Sequence, residues 1–220
     1  MNLPFSLDQF LEVFRNYNLS VWPAQVILYV LATLALLLPV FKIRPKDSLV
    51  LIILVLLWLW AGIVYHLLFF TAINKAAYGF GVLFAIQAIL LIIWTISRRR
   101  PVFRLNLSWQ ALLGYLFILY ALVIYPIVGN MLGHQYPEKP LIGTPCPTTI
   151  LTFGILLLAA GKVPNYILVI PLLWSLVGLS ASIQLGIWED TGLVVAGVGG
   201  TVALIIKNKQ QKSASHESHS

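Results

Sequence analysis

The sequence predicts an all-α polytopic membrane protein, in which a short interfacial helix precedes a bundle of seven transmembrane helices. Three observations predict this fold. Hydrophobic residues make up 60% of the 220 residues and charged residues only 10%, whereas an ordinary soluble domain carries about 25% charged residues. Apolar segments near the ~20 residues needed to cross a hydrocarbon core recur along the whole chain. Most Lys and Arg residues lie in short segments between the apolar ones, which is typical of membrane topology rather than of nucleic-acid binding.

Residues 1–20 are predicted to form an amphipathic helix on the outer face of the membrane. Ser6, with Gln9 three positions later, is typical of a capping box at a helix start. Apolar residues then recur at helical spacing: Leu7, Phe10, Leu11 and Phe14. One apolar stripe on a short helix suits a position in the interface plane.

Residues 21–206 are predicted to form the transmembrane domain, and the polar residues 207–220 a disordered cytoplasmic tail. The seven predicted spans are Trp22–Phe41, Leu49–Phe70, Ala77–Ser97, Leu107–Val128, Pro147–Gly161, Asn165–Leu185 and Gly192–Ile206. The fifth span is about 22 Å long at 1.5 Å per residue, which is too short for the hydrocarbon core. We therefore expect the preceding residues 140–145 to enter the bundle in extended form, packed in protein.

The basic residues predict the orientation. Eleven of the 14 Lys and Arg residues lie on one side of these spans and three on the other. Because positively charged loops stay in the cytoplasm, the N-terminus is predicted outside and the C-terminus inside. The eleven are Lys42, Arg44, Lys46, Arg98, Arg99, Arg100, Arg104, Lys162, Lys207, Lys209 and Lys212, and the three are Arg15, Lys75 and Lys139.

Cys146, the only cysteine, stands between Pro145 and Pro147 at the start of the short fifth helix. A proline is tolerated in the first helical turn, where its missing N–H costs no hydrogen bond. Two interpretations of Cys146 stay open. A thiol at a helix N-terminus can be activated as a metal ligand or nucleophile, and a free cysteine can equally serve as a small buried apolar side chain.

A group of metal-ligand side chains falls in the predicted outer half of the bundle, and these form a predicted site for a transition-metal ion: His66, His134, Cys146, Glu189 and Asp190. Alternatives stay open for several of them. The His66 imidazole could instead be hydrogen-bonded to a carbonyl or hydroxyl. The two carboxylates, which start the seventh helix, could complement its dipole or cap it.

A second set of side chains is predicted to bind a small solute: Cys146, Thr149, Gln87 and Tyr125. Each adds a polar group to an apolar span, where polar groups commonly mark a pathway or pocket. The alternative for Thr149 is a hydrogen bond from its hydroxyl to the carbonyl one turn back. Gly62, one turn before His66, predicts the close approach of a neighbouring helix.

Seven stretches carry a family resemblance: LPFSLDQFLEVFRNYN, VWPAQ, YHLLFFTAINKAAYGFG, GHQYP, GTPCPTTILTFGILLL, VIPLLWSLVGLSA and WEDTGLVVAG. Together they resemble a bacterial family of multi-pass membrane proteins called domain of unknown function 6064, from about residue 3 to residue 205. The resemblance implies a multi-pass protein of the bacterial cytoplasmic (inner) membrane. It implies no activity.

The favoured hypothesis is a membrane protein that binds, and transports or senses, a metal ion or small solute through an outward-facing polar pocket. One alternative is a metal-dependent membrane hydrolase, with Glu189 or Asp190 as base toward a metal-bound water. Another is a non-catalytic subunit that assembles with a protein partner or with copies of itself. The sequence contains no complete catalytic motif, which favours a non-enzymatic role and leaves the catalytic residues unassigned. Lipid, not nucleic acid, is the expected partner.

Overall fold

The computed structural model describes residues 4–97 and 101–217, and these residues are helical throughout apart from loops and isolated bridges. The all-α prediction is therefore confirmed for the described part of the chain. Its helices are α1 Leu7–Ser20, α2 Ala24–Leu37, α3 Lys46–Ala72, α4 Ala77–Ile96, α5 Trp109–Met131, α6 Pro145–Leu157, α7 Tyr166–Leu185 and α8 Thr191–Glu217. Within α3, Ala61–Phe69 is π-helical, as is Tyr120–Ile124 within α5.

The capping box at the start of α1 is confirmed. The Gln9 backbone N–H donates to Ser6 Oγ over 3.3 Å, and the Ser6 N–H donates to Gln9 Oε1 over 2.9 Å. These bonds satisfy two of the backbone donors that a helix start leaves without intrahelical partners. The chain then turns by 91° into α2.

Five helical segments are each long and apolar enough to cross a membrane: α3, α4, α5, α7 and residues Trp188–Lys212 around α8. A sixth results only if the bent pair α1 and α2 is counted as one span. The helix α6, at 13 residues, is shorter than a span. Large apolar side chains are also exposed on the outward faces of the long helices, with Val82, Leu116 and Val195 at 57%, 60% and 61% exposure. Such surfaces suggest a membrane protein.

The short helix α6 lies in the centre of the bundle. It packs against α2, α3, α5, α7 and α8, and each of its residues except the half-buried Cys146 is buried. The chain before it is also buried from Ile142 to Thr144, and the Gly143 N–H donates to Thr148 Oγ1 over 3.2 Å. The irregular backbone before α6 is therefore packed in protein, as expected.

Hydrogen bonds bring the predicted basic loops together at one end of the bundle, which we call the basic end. Asp47 Oδ1, at the start of α3, accepts from the Phe103 N–H over 2.7 Å. The Arg104 N–H donates to the Leu158 carbonyl at the end of α6 over 3.2 Å. Arg98, Arg99 and Arg100, which belong to the same prediction, lie outside the described residues.

The C-terminal segment differs from its predicted disorder, because α8 continues through Glu217 rather than ending at Ile206. Side-chain hydrogen bonds hold this extension against the α6–α7 loop. Lys207 Nζ donates to the Leu157 carbonyl over 2.7 Å, and Gln211 Nε2 donates to the Ala160 carbonyl over 2.8 Å. These long-range contacts stabilise a polar helical segment whose composition alone gives it nothing apolar to bury.

Candidate functional site

A cavity of about 460 Å³ lies at the end of the bundle opposite the basic end. We call it the aromatic cavity. Its walls come from α1, the end of α3, the start of α4, the start of α6, the second half of α7 and the residue before α8. The aromatic lining consists of Phe5, Phe10, Phe14, Tyr65, Phe70, Phe80 and Trp174. The polar lining consists of His66, Asn74, Thr144, Cys146, Ser180 and Asp190.

The helix α1 closes one side of the aromatic cavity. The Phe10 ring meets Phe70 edge-on at 5.8 Å between centroids, and Phe14 stacks on Tyr65 at 5.4 Å. The apolar stripe of α1 packs on α3, because aromatic surfaces there bury it in protein and aromatic pairs prefer these geometries.

His66 lies in an aromatic shell rather than among polar groups. Its imidazole ring is fully buried and lies 4.9 Å from the Phe84 ring and 5.0 Å from the Trp174 ring, between centroids. Neither ring nitrogen has a hydrogen-bond partner among the described residues. The structure thus places His66 neither among other metal ligands nor beside a carbonyl or hydroxyl acceptor. A buried polar group without a partner is costly and calls for a functional explanation.

The backbone around His66 is unusual as well. His66 lies in the π-helical segment of α3, and such segments are often found at functional sites. Four residues earlier, a methyl group at Gly62 would lie 2.9 Å from the Phe84 Cβ. The predicted close approach at Gly62 is therefore confirmed, and it brings α4 against the His66 turn.

Asp190 connects three parts of the bundle at the floor of the aromatic cavity. The Tyr125 hydroxyl, in α5, donates to Asp190 Oδ1 over 2.5 Å. The Cys146 thiol, in the first turn of α6, donates to Asp190 Oδ2 over 3.4 Å. Both carboxylate oxygens are thus engaged, and Asp190 is 2% exposed. Tyr125 and Cys146, predicted as ligand-binding residues, are brought together by this carboxylate.

The neighbouring carboxylate, Glu189, belongs to a separate pair. His134 Nδ1, in the loop after α5, lies 2.7 Å from Glu189 Oε1, and the Tyr120 hydroxyl donates to the Glu189 backbone carbonyl over 2.8 Å. Glu189 Oε2 is buried and has no partner in the described residues. This pair ties the loop before α8 to α5, and neither His134 nor Glu189 lines the aromatic cavity.

The five predicted metal ligands do not converge. His134 pairs with Glu189, Cys146 pairs with Asp190, and His66 is surrounded by rings. In residues 4–97 and 101–217, no group of three or more His, Cys, Asp or Glu side chains is placed to hold a metal ion. The sequence correctly put these residues at one end of the bundle. It could not show that Glu189 and Asp190, adjacent on a tight helical turn, point to different neighbours.

Two further predicted ligand-binding residues lie away from the aromatic cavity lining. The Thr149 hydroxyl donates to the Pro145 carbonyl over 2.8 Å, which is the local bond considered as its alternative. Gln87 Nε2 donates to the Ile167 carbonyl over 3.0 Å and so joins α4 to α7. Both side chains are buried and have structural partners.

Trp174 and the phenylalanine rings were not predicted from the sequence as cavity walls. A signal existed in VIPLLWSLVGLSA, where Trp174, Gly178 and Ala181 follow at helical spacing and share one face of α7. A tryptophan beside small residues on one face leaves a space. Whether that space is filled by another helix depends on packing, which the sequence does not reveal.

Comparison with known proteins gives one match. The family model described as "Family of unknown function (DUF6064)" matches residues 7–216. No curated protein and no solved structure matches the chain.

Proposed function

The chain belongs to the DUF6064 family, whose function is unknown, and we propose that it is a protein of the bacterial cytoplasmic membrane that binds a small amphipathic organic molecule. The main observation that supports this proposal is the aromatic cavity, which combines a wall of aromatic rings with the carboxylate of Asp190. Concave, mainly apolar sites with a few placed polar groups are the usual form of small-molecule sites.

In this proposal the bundle crosses the membrane with its basic end in the cytoplasm. The charge bias of the loops supports that orientation. The chain then crosses the membrane seven times between α2 and α8. The short helix α6, together with the irregular backbone before it, makes one of these crossings inside the bundle, and α1 lies across the outer end. The aromatic cavity accordingly faces the outer half of the membrane.

The lining favours a neutral or cationic ligand over an anion. Among the described residues that line the aromatic cavity there is no Lys or Arg, whereas Asp190 supplies a carboxylate. Aromatic faces attract cations at close range, most strongly where water is excluded. An aromatic or alkyl amine, with its ammonium group toward Asp190 and its apolar part among the rings, satisfies both features.

The helix α7 offers a route into the aromatic cavity from the bilayer. Leu173, Leu176 and Val177 line the cavity and are also exposed on the outer surface, at 48%, 49% and 38%. A ligand dissolved in the outer leaflet can therefore enter sideways. The hydroxyls of Thr149 and Thr152, by contrast, bond to carbonyls within α6, which supports a binding or sensing role over passage along α6.

Binding of three probes of similar shape tests this proposal. We expect 2-phenylethylamine to raise the thermal unfolding midpoint of the detergent-purified chain more than neutral 2-phenylethanol, and phenylacetate least. Ala181→Trp, which fills the cavity from α7, should abolish the effect. Ile183→Trp, on an exposed position of the same helix, is the matched control and should retain it.

Equal responses to all three probes, or a response that survives Ala181→Trp, would contradict the proposed site. Copurification of a stoichiometric protein together with no response to any probe would favour the alternative of an assembly subunit.

A further inference from the structure

A second cavity, of about 610 Å³, lies at the basic end between the end of α4, the α6–α7 loop and the last turns of α8. We call it the basic cavity. It is separate from the aromatic cavity, and no site predicted from the sequence falls in it. Its lining includes Lys162, Lys209 and Lys212, together with Trp94, Tyr166 and Ile205.

The lining of the basic cavity is rich in lysine. Three of its lining residues are lysines, and no Asp or Glu lines it among the residues that the structure describes. A concave site with this charge concentrates anions.

The shape of the basic cavity is fixed by hydrogen bonds from α8. Asn208 Oδ1 accepts from the Val163 N–H over 3.0 Å, and Asn208 Nδ2 donates to the Val163 carbonyl over 2.8 Å. This bidentate contact holds the α6–α7 loop against α8, so Lys162 is kept beside Lys209 and Lys212. A site organised in advance loses less entropy when it binds.

The walls of the basic cavity are suited to a molecule with both a charged and an apolar part. Trp94 is 1% exposed, and its buried Nε1–H has no hydrogen-bond acceptor in the described residues. Ile205 on α8 and Tyr166 on α7 line the basic cavity and are also exposed at the surface of the bundle. Below them, Val169 and Val202 expose apolar surface on the same two helices. Acyl chains can follow that surface while a headgroup stays among the lysines.

We propose that the basic cavity binds the phosphate group of an anionic phospholipid from the inner leaflet. The inference uses the membrane setting proposed above, but not the ligand of the aromatic cavity. Basic pockets between helices on the cytoplasmic side are the kind of site that holds anionic headgroups. The shared chemistry is a phosphate anion, which a lipid or a free phosphate could supply. The apolar walls favour the lipid.

The test is native mass spectrometry of the full detergent-purified chain titrated with phosphatidylglycerol, and with phosphatidylcholine of the same acyl chains. The variant Lys162→Gln/Lys209→Gln/Lys212→Gln should bind phosphatidylglycerol on the order of 100-fold more weakly, since each lysine near a membrane surface contributes severalfold. Phosphatidylcholine binding should hardly change. Replacing the same three lysines by Arg should keep the preference, which shows that charge rather than a damaged fold is responsible.

The matched control removes the same charge elsewhere: Lys42→Gln/Arg44→Gln/Lys75→Gln, which changes exposed positions outside the lining. It should leave phosphatidylglycerol binding nearly intact. An equal loss in both variants would overturn the proposal, because binding would then follow net charge alone. Equal binding of the two lipids would overturn it as well.

Inorganic phosphate distinguishes the two sources of the anion. If it binds the wild-type chain as tightly as phosphatidylglycerol does, the ligand is a free anion and the lipid assignment is overturned. The Ala181→Trp variant, which fills the aromatic cavity, should bind phosphatidylglycerol normally. Failure at one cavity is thereby separated from failure at the other.

Discussion

Cys146 and Asp190, 44 residues apart, meet through a 3.4 Å contact between the thiol Sγ and the carboxylate Oδ2. The same carboxylate accepts from Tyr125 through its other oxygen. Asp190 therefore joins the first turn of α6, and the part of α5 directly after its π-helical segment, to the start of α8 at the floor of the aromatic cavity. This contact gives the Cys146 thiol, which lies between Pro145 and Pro147, a polar partner.

Removing the Tyr125 hydroxyl should destabilise the protein. Tyr125→Phe leaves one oxygen of the buried Asp190 without a donor, and we expect a loss of about 1 to 3 kcal/mol in the free energy of unfolding. Thermal unfolding in detergent measures it. Tyr78→Phe, at an exposed position of α4, is the control and should change stability little. Equal changes in stability in the two variants would show that the Tyr125–Asp190 hydrogen bond does not stabilise the fold.

The pair formed by His134 and Glu189 should be worth more to the fold than an exposed ion pair. His134→Ala leaves the buried Glu189 carboxylate without its partner, and we expect a loss of about 3 to 5 kcal/mol in the free energy of unfolding. The double variant His134→Leu/Glu189→Leu should cost less than that single change, because no charge is left unpaired. Arg15→Ala, which breaks the exposed contact with Glu138, should cost at most about 1 kcal/mol. A His134→Ala variant as stable as Arg15→Ala would contradict this account.

Two glycines should respond in opposite ways to the same substitution. Gly62→Ala puts a methyl group 2.9 Å from the Phe84 Cβ, and overpacking of this kind costs about 1 to 3 kcal/mol. Gly79→Ala, in the exposed first turn of α4, meets nothing within 4 Å and should be neutral or slightly stabilising, by up to about 1 kcal/mol. The thermal unfolding midpoints of both variants measure these effects. A Gly62→Ala variant as stable as the wild type would contradict the close approach of α3 and α4.

His66 can be tested by a change of polarity at nearly constant shape. His66→Phe removes two buried nitrogens that have no partners, so we expect stability to be kept or raised. His66→Ala leaves a void among the rings and should cost about 2 to 5 kcal/mol. If His66→Phe retains stability but loses the 2-phenylethylamine response, the imidazole serves the ligand. A His66→Phe variant that unfolds like His66→Ala would mean that the nitrogens have partners in the native protein.

Metal content separates the favoured proposal from the hydrolase alternative. Elemental mass spectrometry of the purified chain should find transition metal well below one atom per chain, since three suitable side chains do not converge in the described residues. A near-stoichiometric metal that falls in both Cys146→Ser and His66→Ala would instead restore the single site predicted from the sequence. Chelator-sensitive turnover of a lipid would then support the hydrolase.

Much of the fold could be predicted because its signals are local. The cap formed by Ser6 and Gln9 needs only their spacing. The apolar segments identify the helix ends to within a few residues, except at the end of α8, which continues to Glu217. The charge bias of the loops assigns Cys146, His66 and Asp190 to one end. Contacts between distant segments could not be predicted in this way. Residues 207–217 of the tail predicted to be disordered are helical, and Lys207 and Gln211 bond to the end of α6 and the loop after it. The apolar stripe of α1 packs on aromatic rings of α3.

The sequence by itself determined the helical segments and the end of the bundle that carries the polar residues of the candidate site, because periodicity, capping and charge act over a few positions. The tertiary structure alone decided the partners. Tyr125 and Cys146 meet Asp190 across 65 and 44 residues. His66 is enclosed by rings of its own helix and of α4 and α7, and the short helix α6 is surrounded by other helices. These outcomes depend on how the helices pack against one another, since hydrogen bonds and aromatic contacts between distant segments form only when packing brings them within a few ångströms.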